Sequence, residues 1–265
     1  MPMQRSIYMN NRFDPRMPRG GQSGAPYASP RDVLSEAEFD AGLRKYMLSI
    51  YNYMTSGILL TGIVALLFSW GGEESMAYSI FAGPGIVKWV IMLSPLAIVF
   101  AMSFGQNKFS TGTLQLMFWG FATLMGLSMS TIFLIYTGGS VALAFFSTAA
   151  AFAGLSLFGY TTQKDLSGWG SFLIMGVVGL IVASVLNAFF LPPETNHVMN
   201  MVISGLGVLI FAGLTAYDTQ RLKSMYSYVA GTDMMGKVVI MGALSLYLDF
   251  INMFQFLLSF LGSQE

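Results

Sequence analysis

Two aspartates are the residues of this 265-residue chain best placed to do chemistry, because both stand in long apolar runs where a charge is costly. Asp249 lies in Ser245-Leu-Tyr-Leu-Asp-Phe-Ile-Asn-Met-Phe, with no other charged residue between Lys237 and Glu265. Asp218 lies in Gly213-Leu-Thr-Ala-Tyr-Asp-Thr-Gln-Arg-Leu. Two carboxyls brought within hydrogen-bond reach in a low dielectric cannot both ionise cheaply, so they share a proton and titrate as a unit. When the last proton leaves, like charges repel and the exposed oxygens attract a hard cation. The plainer readings are local. Asp218 can pair with Arg221 at i+3, and Asp249 can be a hydrogen-bonded acid that locks helix packing. Asn252, one turn beyond Asp249, and Gln255 offer partner oxygens or simple packing glue.

The elements that must position these acids are membrane helices. The chain is 54% apolar and only 10% charged, and its mean hydropathy is +0.62, far from a soluble domain. Seven apolar stretches, at 47–70, 86–104, 111–136, 139–160, 169–191, 198–222 and 237–262, are each long enough to cross a hydrocarbon core of roughly 30 Å. None alternates with the period of two that a barrel strand requires. The expectation is an all-α, polytopic membrane protein with seven transmembrane helices, forming one domain over residues 41–265.

Before the spans, residues 1–40 mix Arg5, Arg12, Arg16, Arg19 and Arg31 with Gly, Pro and Ser. This reads as a disordered cytoplasmic tail, not a cleaved secretory signal. From about residue 35 a short amphipathic lead-in helix is expected, since Ser35 and Glu38 match a capping box and Phe39, Leu43 and Met47 follow at helical spacing. It either lies on the membrane surface or extends the first span. Of the thirteen Lys and Arg, all but Lys88 fall on the side of the N-terminus. Basic residues resist translocation, so the N-terminus is expected in the cytoplasm and the C-terminus outside.

Small residues mark the expected helix contacts: Ala149, Ala150, Ala151, Ala153 and Gly154 in the fourth span, Gly176 and Gly179 in the fifth, and Ser204, Gly205, Gly207, Ala212 and Gly213 in the sixth. Pro95 is expected to kink the second. Depth sets a tension for the acids. If the sixth span ends near Leu222, Asp218 lies about 6 Å inside, whereas Asp249 lies roughly 18 Å beyond Lys237.

Other chemistries lack their residues. Without cysteine there is no disulfide, thiolate metal site or cysteine nucleophile. His197, beside Pro192, Pro193 and Glu194, reads as a loop residue, since a metal site needs several convergent donors. Zero net charge suggests no nucleic acid. Gly154-Leu-Ser-Leu-Phe-Gly only approximates a nucleophile elbow, and no lysine stands within the last span for a retinal Schiff base.

The stretches Tyr217-Asp218-Thr219-Gln220 and Leu246-Tyr247-Leu248-Asp249-Phe250-Ile251-Asn252 resemble the two hallmark segments of the Bax inhibitor-1 family, in its bacterial YccA-like form. The resemblance covers roughly residues 40–262. It implies six helices wrapped around a central seventh, and a pH-sensitive calcium leak of a bacterial inner membrane gated by two aspartates, here Asp218 and Asp249. Tyr217, Tyr247, Arg221 and Asn252 become candidate supporting residues. The family carries a basic latch residue on its second helix. Here the second span has no Lys or Arg after Lys88, and Arg221 is the candidate substitute. No cofactor is expected; calcium is the permeant ion, and the two carboxylates form only a weak transit site, since conduction requires ions to leave.

Three alternatives remain at this point. The first is a non-transporting regulator that binds other membrane proteins, such as a membrane protease or stress component, and the Arg-rich tail is its support. The second is a proton-coupled cation exchanger. The third, an intramembrane aspartyl protease, also uses a Tyr-Asp on one helix, but Leu248 stands where its second motif has glycine. No enzyme activity is expected.

Overall fold

The structure, a computed structural model, describes residues 35–190 and 193–262. Among them every long element is a helix: α1 Glu36–Phe68, a single 3-10 turn at Gly72–Glu74, α2 Met76–Phe81, α3 Val87–Gly105, α4 Thr111–Met129, α5 Ile132–Ile135, α6 Gly138–Thr161, α7 Ser167–Phe190, α8 Pro193–Val229 and α9 Met234–Leu261. Seven helical segments are long and apolar enough to cross a membrane, with α4 and α5 together forming the third. The tail read as disordered at residues 1–34 lies outside the described residues.

The capping box forms as its spacing predicts. The Glu38 carboxylate accepts from the Ser35 backbone N–H at 3.1 Å, and the Ser35 hydroxyl oxygen accepts from the Glu38 N–H at 3.4 Å. From that cap α1 runs without a break to Phe68, so the lead-in is a rigid extension of the first span. Leu43, Tyr46 and Met47 are buried on that extension, which places it against protein on one face. Tyr46 and Phe39 both pack on Tyr226 of α8.

One span end and one loop assignment need correction. The sixth span starts at Val198 as expected but does not end near Leu222; it continues to Val229, within a helix, α8, that begins at Pro193. His197 therefore falls on helical backbone, not in a loop. Pro95 stays inside α3.

The last helix is the core of the bundle. Over α9's most apolar window 56% is buried, against 33% or less in each other span. It packs against α8, α1, α6 and α4, whereas α3 leans mainly on α4 and α7 mainly on α8. Four spans thus enclose α9, and α3 and α7 form an outer layer. In lipid the helices gain no hydrophobic drive for association, so close backbone approach must supply contact. A Cβ at Gly126 would stand 2.7 Å from the Thr61 carbonyl oxygen, and one at Gly159 would overlap the Ala216 carbonyl. The expected contacts at Gly176, Gly207 and Gly213 also form, but Gly154 and Gly179 meet nothing within 4 Å. Small size alone does not distinguish a helix-facing position from a lipid-facing one.

Candidate functional site

The two acids are brought to neighbouring levels by the long antiparallel packing of α8 on α9. One register runs along the pair. The Ser204 hydroxyl donates to that of Ser259 at 2.9 Å, Gly207 faces the ring of Phe256, and Gly242 faces Leu222. Within that register the Ser245 hydroxyl donates to Asp218 Oδ2 at 2.6 Å. Ser245 and Asp249 are four residues apart on α9, so one helical turn, about 6 Å, separates the levels of the two acids. The larger depth mismatch expected from the sequence disappears because α8 continues eleven residues beyond Asp218.

Both acids are buried, Asp218 at 7% exposure and Asp249 at 4%. Asp218 has partners: Ser245, and Arg221 Nη1 at 4.0 Å from Oδ1. Arg221 is itself more than half exposed, so the pair spans the edge of the core. Asp249 differs, since its Oδ2 is buried with no hydrogen-bond partner among the described residues. It stands one helical turn along α9 from Ser245, the partner of Asp218. No hydrogen bond joins the two carboxyls among the described residues. An unpaired carboxylate in an apolar interior costs several kcal/mol unless the surroundings move or a partner arrives.

The candidate supporting residues fall in different places. Asn252 donates its amide to the Leu248 carbonyl of its own helix at 2.7 Å. Tyr247 bonds Thr61 at 2.6 Å and packs edge-on against Phe118 and Phe121. Thr61 donates its one proton to the Ala122 carbonyl at 2.8 Å, so the Tyr247 hydroxyl is the donor to Thr61. That network ties α9 to α1 and α4. Tyr217 sits against Gly170 of α7, where a Cβ would come within 2.5 Å of its ring.

Arg221, Tyr217 and Gln220 line a polar pocket of about 280 Å³ with Lys164 and Asp165. The pocket lies at the end of the bundle that carries Lys108, Lys164, Arg221 and Lys237, here termed the basic end. Gln220 fastens the 162–166 loop there: its Oε1 accepts from the Leu166 N–H at 2.8 Å and its Nε2 donates to the Lys164 carbonyl at 2.8 Å. Asp165 caps the start of α7 through the Ser167 hydroxyl and N–H, and these bonds hold its carboxyl below the usual range.

Sequence reasoning missed two polar partners. Ser245 stands at i−4 from Asp249, a spacing that puts both on one face, and that was its available signal. A second chain joins the Tyr51 hydroxyl to Ser156, and Ser156 to Thr219 at 3.0 Å, beside Asp218. It links three spans far apart in sequence, and no local pattern announces it. No group of three or more His, Cys, Asp or Glu among the described residues could hold a metal ion; a cation here would rely on two carboxylates, hydroxyls and carbonyls.

A seven-span, all-helical, multi-pass membrane protein with two buried acids on its last two helices is the class that this fold and site define. The profile of the family described as "Inhibitor of apoptosis-promoting Bax1" matches residues 43–265, and the chain belongs to this family, the Bax inhibitor-1 family. Three similar proteins are bacterial. The chain is 43% identical over 229 residues to an uncharacterized protein of Rickettsia prowazekii, covering 86% of this chain and 93% of the relative. It is 45% identical over 240 residues to one of Caulobacter vibrioides, covering 87% and 93%. It is 40% identical over 228 residues to inner membrane protein YbhL of Escherichia coli, covering 85% and 94%.

Proposed function

We propose that the chain is a pH-sensitive cation leak of a bacterial inner membrane, with calcium as the permeant ion and Asp218 and Asp249 as its gate. The observation that carries this reading is Asp249 Oδ2, buried without a partner one turn from a second buried acid. Such an arrangement couples charge state to packing. While protons keep the acids from both ionising, α8 and α9 stay together. When both are charged, repulsion favours their separation and presents oxygens to a hard cation.

The polar groups suggest a route from one side. It would run from the basic-end pocket past Arg221 to Asp218, then by way of Ser245 to Asp249. Beyond Asp249, Phe250, Phe254 and Leu258 are buried and apolar, so this conformation is the closed one. Arg221, withdrawn toward solvent, would free an Asp218 oxygen, which is the task of a latch.

The test is calcium flux into liposomes carrying the purified chain, from about pH 5 to 8, with Asp218→Asn and Asp249→Asn alongside. The expected result is flux that rises with pH in the unaltered chain and loses that dependence in both variants. Absence of flux at every pH sinks the leak. Flux driven by an imposed pH gradient, and not merely gated by pH, would identify an exchanger.

A further inference from the structure

The small-residue stripe of α6 has a use that helix packing does not absorb. Ala153 is exposed, and Ala149 packs only in part against the core. They line a lateral groove of about 650 Å³ between α1 and α6, floored by Phe152 and by Phe250 of α9. The two walls make no extended contact with each other, and the Tyr51–Ser156 hydrogen bond spans the gap as a strut. A second cavity of about 320 Å³ shares Ile58, Phe145 and Phe250 with the first and continues it toward the far end.

We propose that this groove holds one acyl chain of an anionic glycerophospholipid, whose phosphate is received by Arg44 at the groove's basic end. Three observations fix the occupant. The first is depth. The groove follows α1 from Arg44 to Leu59, fifteen residues or about 22 Å, which is half of the 40–45 Å of a bilayer with its headgroups. The groove is therefore one leaflet deep.

The second is the level of the charge. A crossing of about 20 residues counted back from the end of α1 at Phe68 reaches Ser49. Arg44 stands five residues farther, about 7.5 Å, within the headgroup layer. The third is complementarity. Arg44 lines the mouth and is exposed, and no acid lies within ion-pair distance of it among the described residues, Asp40 one turn earlier included. Behind the opposite wall, Lys223 of α8 does not line the groove but donates to the carbonyl of Tyr160, which does, at 2.8 Å, and holds its ammonium 4.7 Å above that ring, so a second cation stands near the same mouth. Below the mouth the lining is aliphatic and aromatic, apart from the hydroxyls of Tyr51, Thr55 and Ser156. Phosphate above and hydrocarbon below is the chemistry of a phospholipid. The assignment is independent of the acid pair and of the leak.

Native mass spectrometry of the full chain in detergent tests it, with phosphatidylglycerol, phosphatidylcholine of the same acyl chains, and inorganic phosphate as separate probes. The expected result is one phosphatidylglycerol retained per chain. Arg44→Gln weakens that retention about fivefold, while Lys45→Gln, off the groove, leaves it unchanged. Ala153→Trp and Ala149→Phe, which fill the groove, abolish retention in protein that still elutes as a single species with unaltered helicity. The proposal is overturned if both filled variants keep the lipid, if phosphatidylcholine is held as tightly and is indifferent to Arg44→Gln, or if phosphate alone binds as well. A mass of two chains without lipid would assign the groove to a second copy instead.

Discussion

Ser245 gives Asp218 a neutral donor inside the core, whereas Asp249 Oδ2 has no partner among the described residues. The hydroxyl is thus a reporter of charge. A hydrogen bond to an ionised partner contributes about 1.5–3 kcal/mol and one between neutral groups about 1. Ser245→Ala should cost stability in that range, with the larger decrement at pH values where Asp218 is ionised, whereas Ser245→Thr should retain most of the bond. Denaturant unfolding in detergent, repeated across pH, reads the difference; a decrement of zero at every pH would remove Ser245 from the site. Asp165 offers a cleaner titration because it sits in an exposed loop. The Ser167 hydroxyl, and after it the Ser167 N–H, stabilise its charged form and depress its pKa. A depressed carboxyl adds stability above its unfolded value, about 3.9, and loses it as the pH falls through the folded value. Ser167→Ala removes the larger contribution and keeps the N–H. The Asp165 carboxyl should then titrate closer to the ordinary range, measured by carboxyl carbon NMR, and the start of α7 should loosen in acid at a higher pH than in the unaltered chain.

At the scale of the element, contact between helices decides what a substitution costs. Gly159 of α6 lies against the Ala216 carbonyl of α8, so a methyl there meets backbone that cannot swing aside. Gly154, also on α6, meets nothing within 4 Å and is exposed. Gly159→Ala should destabilise the bundle by about 1–3 kcal/mol through overpacking, and Gly154→Ala should be neutral or slightly stabilising through helix propensity. Paired unfolding curves of the two variants check this. That contrast also marks what the sequence made legible. Composition and run length gave the seven spans, and Ser35 with Glu38 gave the start of α1, because those signals are local. The seven residues of α8 from Lys223 to Val229 fall outside the expected span because Lys223, Ser224 and Ser227 interrupt the apolar run. They extend a helix already nucleated in the membrane, and Leu222 and Tyr226 are buried on one face of it. Missing that extension created the apparent mismatch between Asp218 and Asp249. The Tyr51–Ser156–Thr219 chain and the α1–α6 groove depend on how spans distant in sequence lie side by side, which no single-chain pattern reports.

For the whole molecule, the distribution of charge sets which way the bundle faces. Among the described residues, Lys108, Lys164, Arg221, Lys223 and Lys237 gather at or near one end with Arg44 and Lys45, and Lys88 alone stands at the other, donating to the Gly83 carbonyl at 3.1 Å. Lys and Arg near span ends hold their loops on the cytoplasmic side, so the basic end, with its polar pocket and the mouth of the α1–α6 groove, should face the cytoplasm. The chain has no cysteine, so any introduced thiol is unique and its accessibility reports one loop. Thr232, in the turn between α8 and α9, and Glu73, between α1 and α2, are both exposed and sit at opposite ends. In intact cells a membrane-impermeant maleimide should label Glu73→Cys and spare Thr232→Cys, and permeabilisation should make the second label as fully as the first. The reverse pattern would invert the molecule. Asp218 would then be reached from outside, and a gate opened by loss of protons would answer to the pH of the medium in place of that of the cell.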